Sequence, residues 1–170
     1  MDRETKIALG GGCHWCTEAV FQSLAGVCKV EQGFVASTEE NSSFSEAVIV
    51  HFKPEDIELQ TLIEIHLLTH KSTSAHSMRA KYRSAIYYFS YEQKTYAETI
   101  LQNFQPDFNN KLITKVYPFS EFKASREAIQ NYYQKNPKKP FCERFINPKL
   151  TVLLTKFANY VDTEFIAQNS

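Results

Sequence analysis

The sequence predicts an α+β fold carried by one domain over residues 1–170, and three observations support this. Short apolar runs and segments of helical periodicity follow one another without the regular alternation of a doubly wound fold. The chain has 170 residues, 43% of them hydrophobic, a length and composition that suit one domain with a sizeable core. An apolar run, Ile7-Ala8-Leu9, enters Gly10-Gly11-Gly12 and leaves as a helix-like pattern, so a strand turns into a helix there.

Residues 5–9 read as that strand. From Cys13 to about Leu24 the apolar positions Trp15, Ala19, Val20 and Leu24 recur at helical spacing, and Ala25-Gly26 ends the helix. Residues 27–36 are extended, with Val27, Val30, Phe34 and Val35 supplying β-branched and aromatic side chains. Glu39 to Ser43 is a polar loop. Ser45 to Phe52, with its run Ala47-Val48-Ile49-Val50, is a strand broken by Lys53-Pro54. Leu59 to Leu68 suits a buried helix. Residues 69–82 show no apolar periodicity, and irregular stretches of that length are often functional. Ser84 to Phe89 reads as a strand, Tyr91 to Phe104 as an amphipathic helix and Leu112 to Tyr117 as a strand. Ser125 to Gln134 reads as a helix stopped by Asn136-Pro137, Lys138 to Pro140 as a linker, and Pro148 to about Ala167 as mostly helical.

Charge and cysteine usage narrow the function. Nineteen basic and nineteen acidic residues give a formal net charge of zero, which argues against a nucleic-acid partner. No apolar run is long enough to span a membrane. Met1 to Lys6 is charged and has no apolar signal core, so a cytoplasmic location is expected. Four cysteines in that compartment are reactive or buried thiols rather than a disulfide framework.

Cys13 carries the chemistry. At a helix N-terminus, unpaired backbone N–H groups and the macrodipole favour a negative charge, and the thiolate is the reactive form of cysteine. The alternative is an inert buried thiol. Cys16, three residues on, makes a Cys-x-x-Cys pair with it. Cys13, His14 and Cys16 come close to half a zinc site, but no second Cys/His pair at suitable spacing follows, so no metal is expected. Cys28 reads as a packed thiol.

Read with later segments, the chain resembles the methionine sulfoxide reductase A family. The matching stretches are Gly12-Cys13-His14-Trp15-Cys16-Thr17-Glu18-Ala19-Val20-Phe21, then Gly33-Phe34 with Phe44-Ser45-Glu46-Ala47-Val48, then Lys81-Tyr82-Arg83-Ser84-Ala85-Ile86-Tyr87-Tyr88. Tyr132 to Pro137, Phe141-Cys142 and Pro148-Lys149-Leu150 complete a resemblance over roughly residues 5 to 150. It implies a two-layer α/β sandwich around a mixed sheet. It also implies thiol-dependent reduction of the S-epimer of methionine sulfoxide, free or in proteins, with a thioredoxin-type reductant and no cofactor.

The resemblance assigns residue roles. Cys13 is the nucleophile that ends as a sulfenic acid. Glu46 is the acid, which needs burial to hold its proton. Tyr82 offers its hydroxyl to the sulfoxide oxygen, and Trp15 either walls the S-methyl group or anchors the core. Cys142, in a flexible Lys-Lys-Pro-Phe-Cys segment, resembles the resolving cysteine, while Cys16 competes for the same task.

Four departures bear on the substrate site. His14 replaces a phenylalanine, making that wall polar or else facing solvent. Phe34 replaces a tyrosine and removes a hydroxyl donor. Ser77 stands where an aspartate is expected, in a shorter loop. Ser125 to Gln130 replaces an acidic, histidine-containing segment. A catalytically weakened binding or sensing module on the same fold is therefore the alternative to a working enzyme.

Overall fold

The computed structural model describes residues 5–168, and the first four residues of the charged N-terminal stretch lie outside it. Six strands form one sheet: β1 (Thr5–Gly10), β2 (Val27–Ala36), β3 (Ser45–Phe52), β4 (Ala85–Tyr88), β5 (Lys115–Pro118) and β6 (Glu121–Ala124). Their order is β5-β4-β1-β3-β2-β6. All neighbours are antiparallel except β4 and β5, so the sheet is mixed.

Helices α1 (His14–Gln22), α2 (Leu59–Thr69), α3 (Tyr91–Phe104) and α5 (Asn147–Lys156) contribute to the main core, while α4 (Tyr132–Lys135) and α6 (Thr163–Gln168) are short. Side chains alternate across a strand. Ile7 and Leu9 of β1, with Val48 and Val50 of β3, meet the helices, where Phe21, Leu62 and Ile63 fill the interior. Ala8, Ala47, Ile49 and Tyr87 point the other way into a smaller cluster, capped by Phe89, Tyr117, Phe119 and Phe122. Burial on both faces explains why β3 reads as an unbroken apolar run. The helices form one layer on the sheet, as the α+β reading expects.

Three local readings differ from the structure. Strand β6 has no apolar signature because Glu121 and Lys123 face outward, and β6 is held to β2 by its backbone ladder. The approach is close enough that a Cβ on Gly33 would overlap the carbonyl oxygen of Lys123. The helix expected over Ser125 to Gln134 is broken: a 3₁₀ turn spans Glu127–Ile129, Asn131 adopts left-handed φ of 56°, and only then does α4 begin. The expected strand from Leu112 starts only at Lys115, because Leu112 N–H bonds the Gln105 side chain and Ile113 N–H bonds Ser72 O.

The break at Asn131 has a specific anchor. Glu18 of α1 is 1% exposed. Its carboxylate accepts the N–H of Asn131 at 2.9 Å, the N–H of Tyr132 at 3.1 Å and the amide of Gln32 at 3.0 Å. Burial pushes this carboxyl up, and the three donors pull it back. Glu18→Ala leaves those donors unpaired, so urea unfolding should show a loss of about 3 kcal/mol. A loss below about 1 kcal/mol means that the segment is held by other contacts.

Candidate active site

The site starts where β1 ends. Gly10 to Gly12 turn the chain into α1, and Gly11 packs so closely that a Cβ there would overlap the His70 imidazole. Cys13 is the N-cap of α1, with φ −58° and ψ 127°. The Cys16 thiol donates to the Cys13 sulfur, and this is the largest cause that lowers the Cys13 pKa below the ordinary thiol value. The Trp15 and Cys16 N–H groups add to it, while burial and the nearby Glu46 oppose it. The same hydrogen bond, with burial, pushes the Cys16 thiol up. The one hydrogen bond thus moves the two thiols in opposite directions, Cys13 down and Cys16 up.

Lys149 of α5 completes this side. Its Nζ donates to the carbonyl of Thr69 at the end of α2. Burial lowers its pKa, and the two cysteine sulfurs pull it back up. Gly12, Cys13, Cys16, Tyr82, Phe141 and Lys149 line one cleft of about 400 Å³.

Glu46 lies at the start of β3, 6% exposed, directly opposite Phe34 in the β2–β3 register. Its Oε1 accepts the backbone N–H of His14 at 3.2 Å, and Lys81 Nζ lies 3.6 Å from Oε2. His14 is 4% exposed rather than solvent-facing. Its Nδ1 is 2.8 Å from Gly33 O, its Nε2 is 3.4 Å from Glu46 Oε1, and its ring meets Phe34 edge-on at 5.1 Å. Burial, the largest cause, holds the His14 imidazole below its usual value. Both imidazole nitrogens are therefore turned away from a shared metal site with Cys13 and Cys16.

Within the irregular stretch 69–82, Arg79, to which the sequence reading gave no role, makes several of the bonds that hold it. Arg79 Nη1 donates to Gly11 O at 2.7 Å and to Tyr82 O at 2.8 Å, Nε donates to Ser74 O at 2.8 Å, and Nη2 reaches Lys71 O. The guanidinium fork therefore ties the loop to the glycine turn. Tyr82 is half-buried, with Lys81 Nζ 5.1 Å above its ring. Ser77 is exposed and does not line the cleft. Met78 N–H bonds His76 Nδ1 and Arg79 N–H bonds His76 O, a turn that leaves His76 and Met78 as the lining residues.

Trp15 stacks on Tyr132, with ring centroids 4.1 Å apart and planes 11° apart, and meets Phe141 edge-on at 5.2 Å. Cys142 is fully buried at 0% exposure, in a π-helical turn Cys142–Ile146 that runs into α5. Of the segment expected to be flexible, Lys138 and Lys139 are exposed turn and only its end, Phe141 and Cys142, is packed, where burial raises the Cys142 thiol. Cys13, Cys16, Cys28 and Cys142 are all thiols without a disulfide.

A sequence model of peptide methionine sulfoxide reductase matches residues 5–160. The chain belongs to the peptide methionine sulfoxide reductase family. Among its relatives, the peptide methionine sulfoxide reductase MsrA of Trichodesmium erythraeum is 34% identical over 171 residues, covering 91% of this chain and 97% of that one. The MsrA of Deinococcus radiodurans is 35% identical over 159 residues, covering 84% and 77%. The crystal structure of reduced Mxr1 from Saccharomyces cerevisiae shares the fold, with a TM-score of 0.74 at 23% identity over 82% of this chain and 90% of that one.

Within this family fold, Arg79, Glu18 and Lys149 were the residues that sequence reasoning missed. Arg79 is a lone cation in an aperiodic stretch, so no local pattern marks it. Glu18 offers a faint signal as an acid followed at once by Ala19-Val20-Phe21. Lys149 lies two helical turns beyond Cys142, on the same helix face.

Alkylation of Cys13 by iodoacetamide should reach half its plateau rate below the ordinary thiol pKa of about 8.5. Cys16→Ala removes the donor and Lys149→Met removes the cation, and each should move the midpoint up by about one pH unit. An unmoved midpoint in Cys16→Ala excludes the thiol hydrogen bond as the cause.

Proposed function

We infer that this protein reduces methionine-S-sulfoxide, free or in proteins, to methionine, with thiols as the electron source. The observation that carries this reading is Cys13 at the head of α1, its pKa lowered by a second thiol and with a buried carboxyl nearby, in a reductase-family fold. Thiolate attack on the sulfoxide sulfur forms a bond from Cys13, and the oxygen takes a proton from Glu46. The oxygen then passes to Cys13 as a sulfenic acid, and methionine leaves. Tyr82, in the same cleft as Cys13, offers its hydroxyl to the oxygen. Trp15, rigid on Tyr132 and Phe141, is the wall for the S-methyl group.

The thiol arrangement supports Cys16 as the first resolving residue, since its hydrogen bond to Cys13 already brings the two sulfurs together. Cys142, buried on the neighbouring helical turn, is the second thiol available for exchange. A thioredoxin-type dithiol restores the resting state. A complex of the yeast Mxr1 with Trx2 is known for a protein of the same fold, at 23% identity and TM-score 0.62. Reduced cysteines also suit a cytoplasmic setting. Among the described residues, no helix is long and apolar enough to cross a membrane.

A second reading, a binding or sensing module with weak turnover, rests on Phe34. It stands opposite Glu46 without a hydroxyl, and a missing donor of this kind costs about 2–4 kcal/mol of transition-state stabilisation. Turnover of S- and R-methionine sulfoxide with dithiothreitol separates the two readings. The reductase consumes the S-epimer catalytically, while the binding module binds it without turnover. Cys13→Ser should abolish turnover, and Glu46→Gln should lower kcat by about 10²-fold or more. Normal turnover in Cys13→Ser ends the enzymatic reading. In a single turnover without reductant, Cys16→Ser should accumulate a sulfenic acid trapped by dimedone. Accumulation in Cys142→Ser alone reverses the order of the two thiols.

A further inference from the structure

We propose that His14 and Glu46 form one proton-holding pair, in which His14 is the positioning residue that keeps a hydrogen at Glu46 until the sulfoxide oxygen takes it. This rests on the reading of Glu46 as the proton donor, and goes beyond it by giving a role to a residue that departs from the family pattern.

The argument is one of donors and acceptors. His14 Nδ1 lies 2.8 Å from Gly33 O. A carbonyl oxygen only accepts, so Nδ1 carries a hydrogen. In the neutral imidazole, Nε2 is then a bare acceptor. It faces Glu46 Oε1 at 3.4 Å. Both residues are less than a tenth exposed, so two facing lone pairs have no water to separate them. The contact is favourable only with a proton in it, as Oε1–H donating to Nε2 or as Nε2–H donating to Oε1. Burial, the largest cause, holds the His14 imidazole below its usual value, so the hydrogen across this contact is not carried as a free imidazolium.

Two other groups reach the same carboxyl. Lys81 Nζ lies 3.6 Å from Oε2, the far oxygen, and the His14 backbone N–H donates to Oε1 at 3.2 Å; both favour the carboxylate, so the imidazole holds the shared hydrogen against them. Cys13 adjoins His14 at the helix start, and a carboxylate at Glu46 would oppose its ionisation. A proton kept between His14 and Glu46 removes the charge that pushes the Cys13 thiol up. Phe34, on the other side of the imidazole, brings no charge.

The step balances. The Cys13 thiolate, the sulfoxide and the proton from the pair give Cys13 sulfenic acid and the thioether, with the sulfoxide sulfur reduced by two electrons and the Cys13 sulfur oxidised by two. The thiol of Cys16 then displaces the hydroxyl, which leaves as water with the Cys16 proton. The proton that Cys13 sheds on return to the thiolate refills the pair.

The test uses ¹⁵N NMR of His14 together with kcat–pH profiles of the wild type, His14→Phe, His14→Gln and Glu46→Gln. Phenylalanine keeps the ring and the backbone N–H. Glutamine keeps polarity but cannot hold the proton. In the wild type, Nδ1 should report as protonated, and Glu46→Gln should lower the imidazole titration midpoint by about one pH unit or more. The wild-type kcat profile should contain the pair's ionisation, with about a tenfold change across it, which falls to less than about twofold in both His14 variants. An imidazole titration unmoved by Glu46→Gln, or His14 variants whose profiles superimpose on the wild type's, overturns the proposal. Wild-type turnover in Glu46→Gln instead removes the reading of the carboxyl on which it rests, and the NMR titration still reports on the pair itself.

Discussion

The hydrogen bond from the Cys16 thiol to the Cys13 sulfur is the interaction on which the rest of the site depends. It makes two chemically equal cysteines unequal. One thiol is pulled down in pKa at the head of α1, and the other is pushed up as its donor. That inequality requires the strand–turn–helix junction, because only there do the N–H groups of Trp15 and Cys16 converge on one sulfur. Lys149, anchored on the end of α2, brings a positive charge to the same sulfurs and offsets part of the rise at Cys16. The nucleophile is therefore a property of α1, α2 and α5 together.

Three further tethers place the second half of the site against that nucleophile. Arg79 ties the loop that carries Tyr82 to the glycine turn. Glu18 holds the segment that carries Tyr132, and Tyr132 in turn fixes the face of Trp15. The β2–β3 register sets Phe34 opposite Glu46, and Glu46 N–H bonds Lys81 O to join β3 to the same loop. Each tether satisfies buried polar groups that would otherwise be costly, so each also contributes to stability.

Two of the departures from the family pattern meet at the Glu46 carboxyl. Phe34 stands opposite Glu46 without a hydroxyl, and His14 brings an imidazole to the same carboxyl. The two changes touch each other. An imidazole edge-on to a phenyl ring, with one nitrogen on Gly33 and the other on Glu46, is a coherent replacement of one polar arrangement by another. Ser77, the third departure, is set apart by its turn and stays out of the cleft.

By itself the sequence determined the α+β class, most strands and long helices, the position of Cys13 at a helix start, and the resemblance that named Glu46, Tyr82 and Cys142. Those features are local. Apolar periodicity reports burial, and a cysteine after a glycine turn reports a helix start. Strand β6 and the break at Asn131 were not legible. β6 is held by backbone ladder bonds to β2, and the break by a carboxylate 113 residues away in sequence. The same reason hid Arg79, the packing of Cys142 and the buried fate of His14. Only the tertiary structure could decide them, because burial and hydrogen-bond partners of a polar side chain are set by what folds against it, and no pattern in its neighbours encodes that.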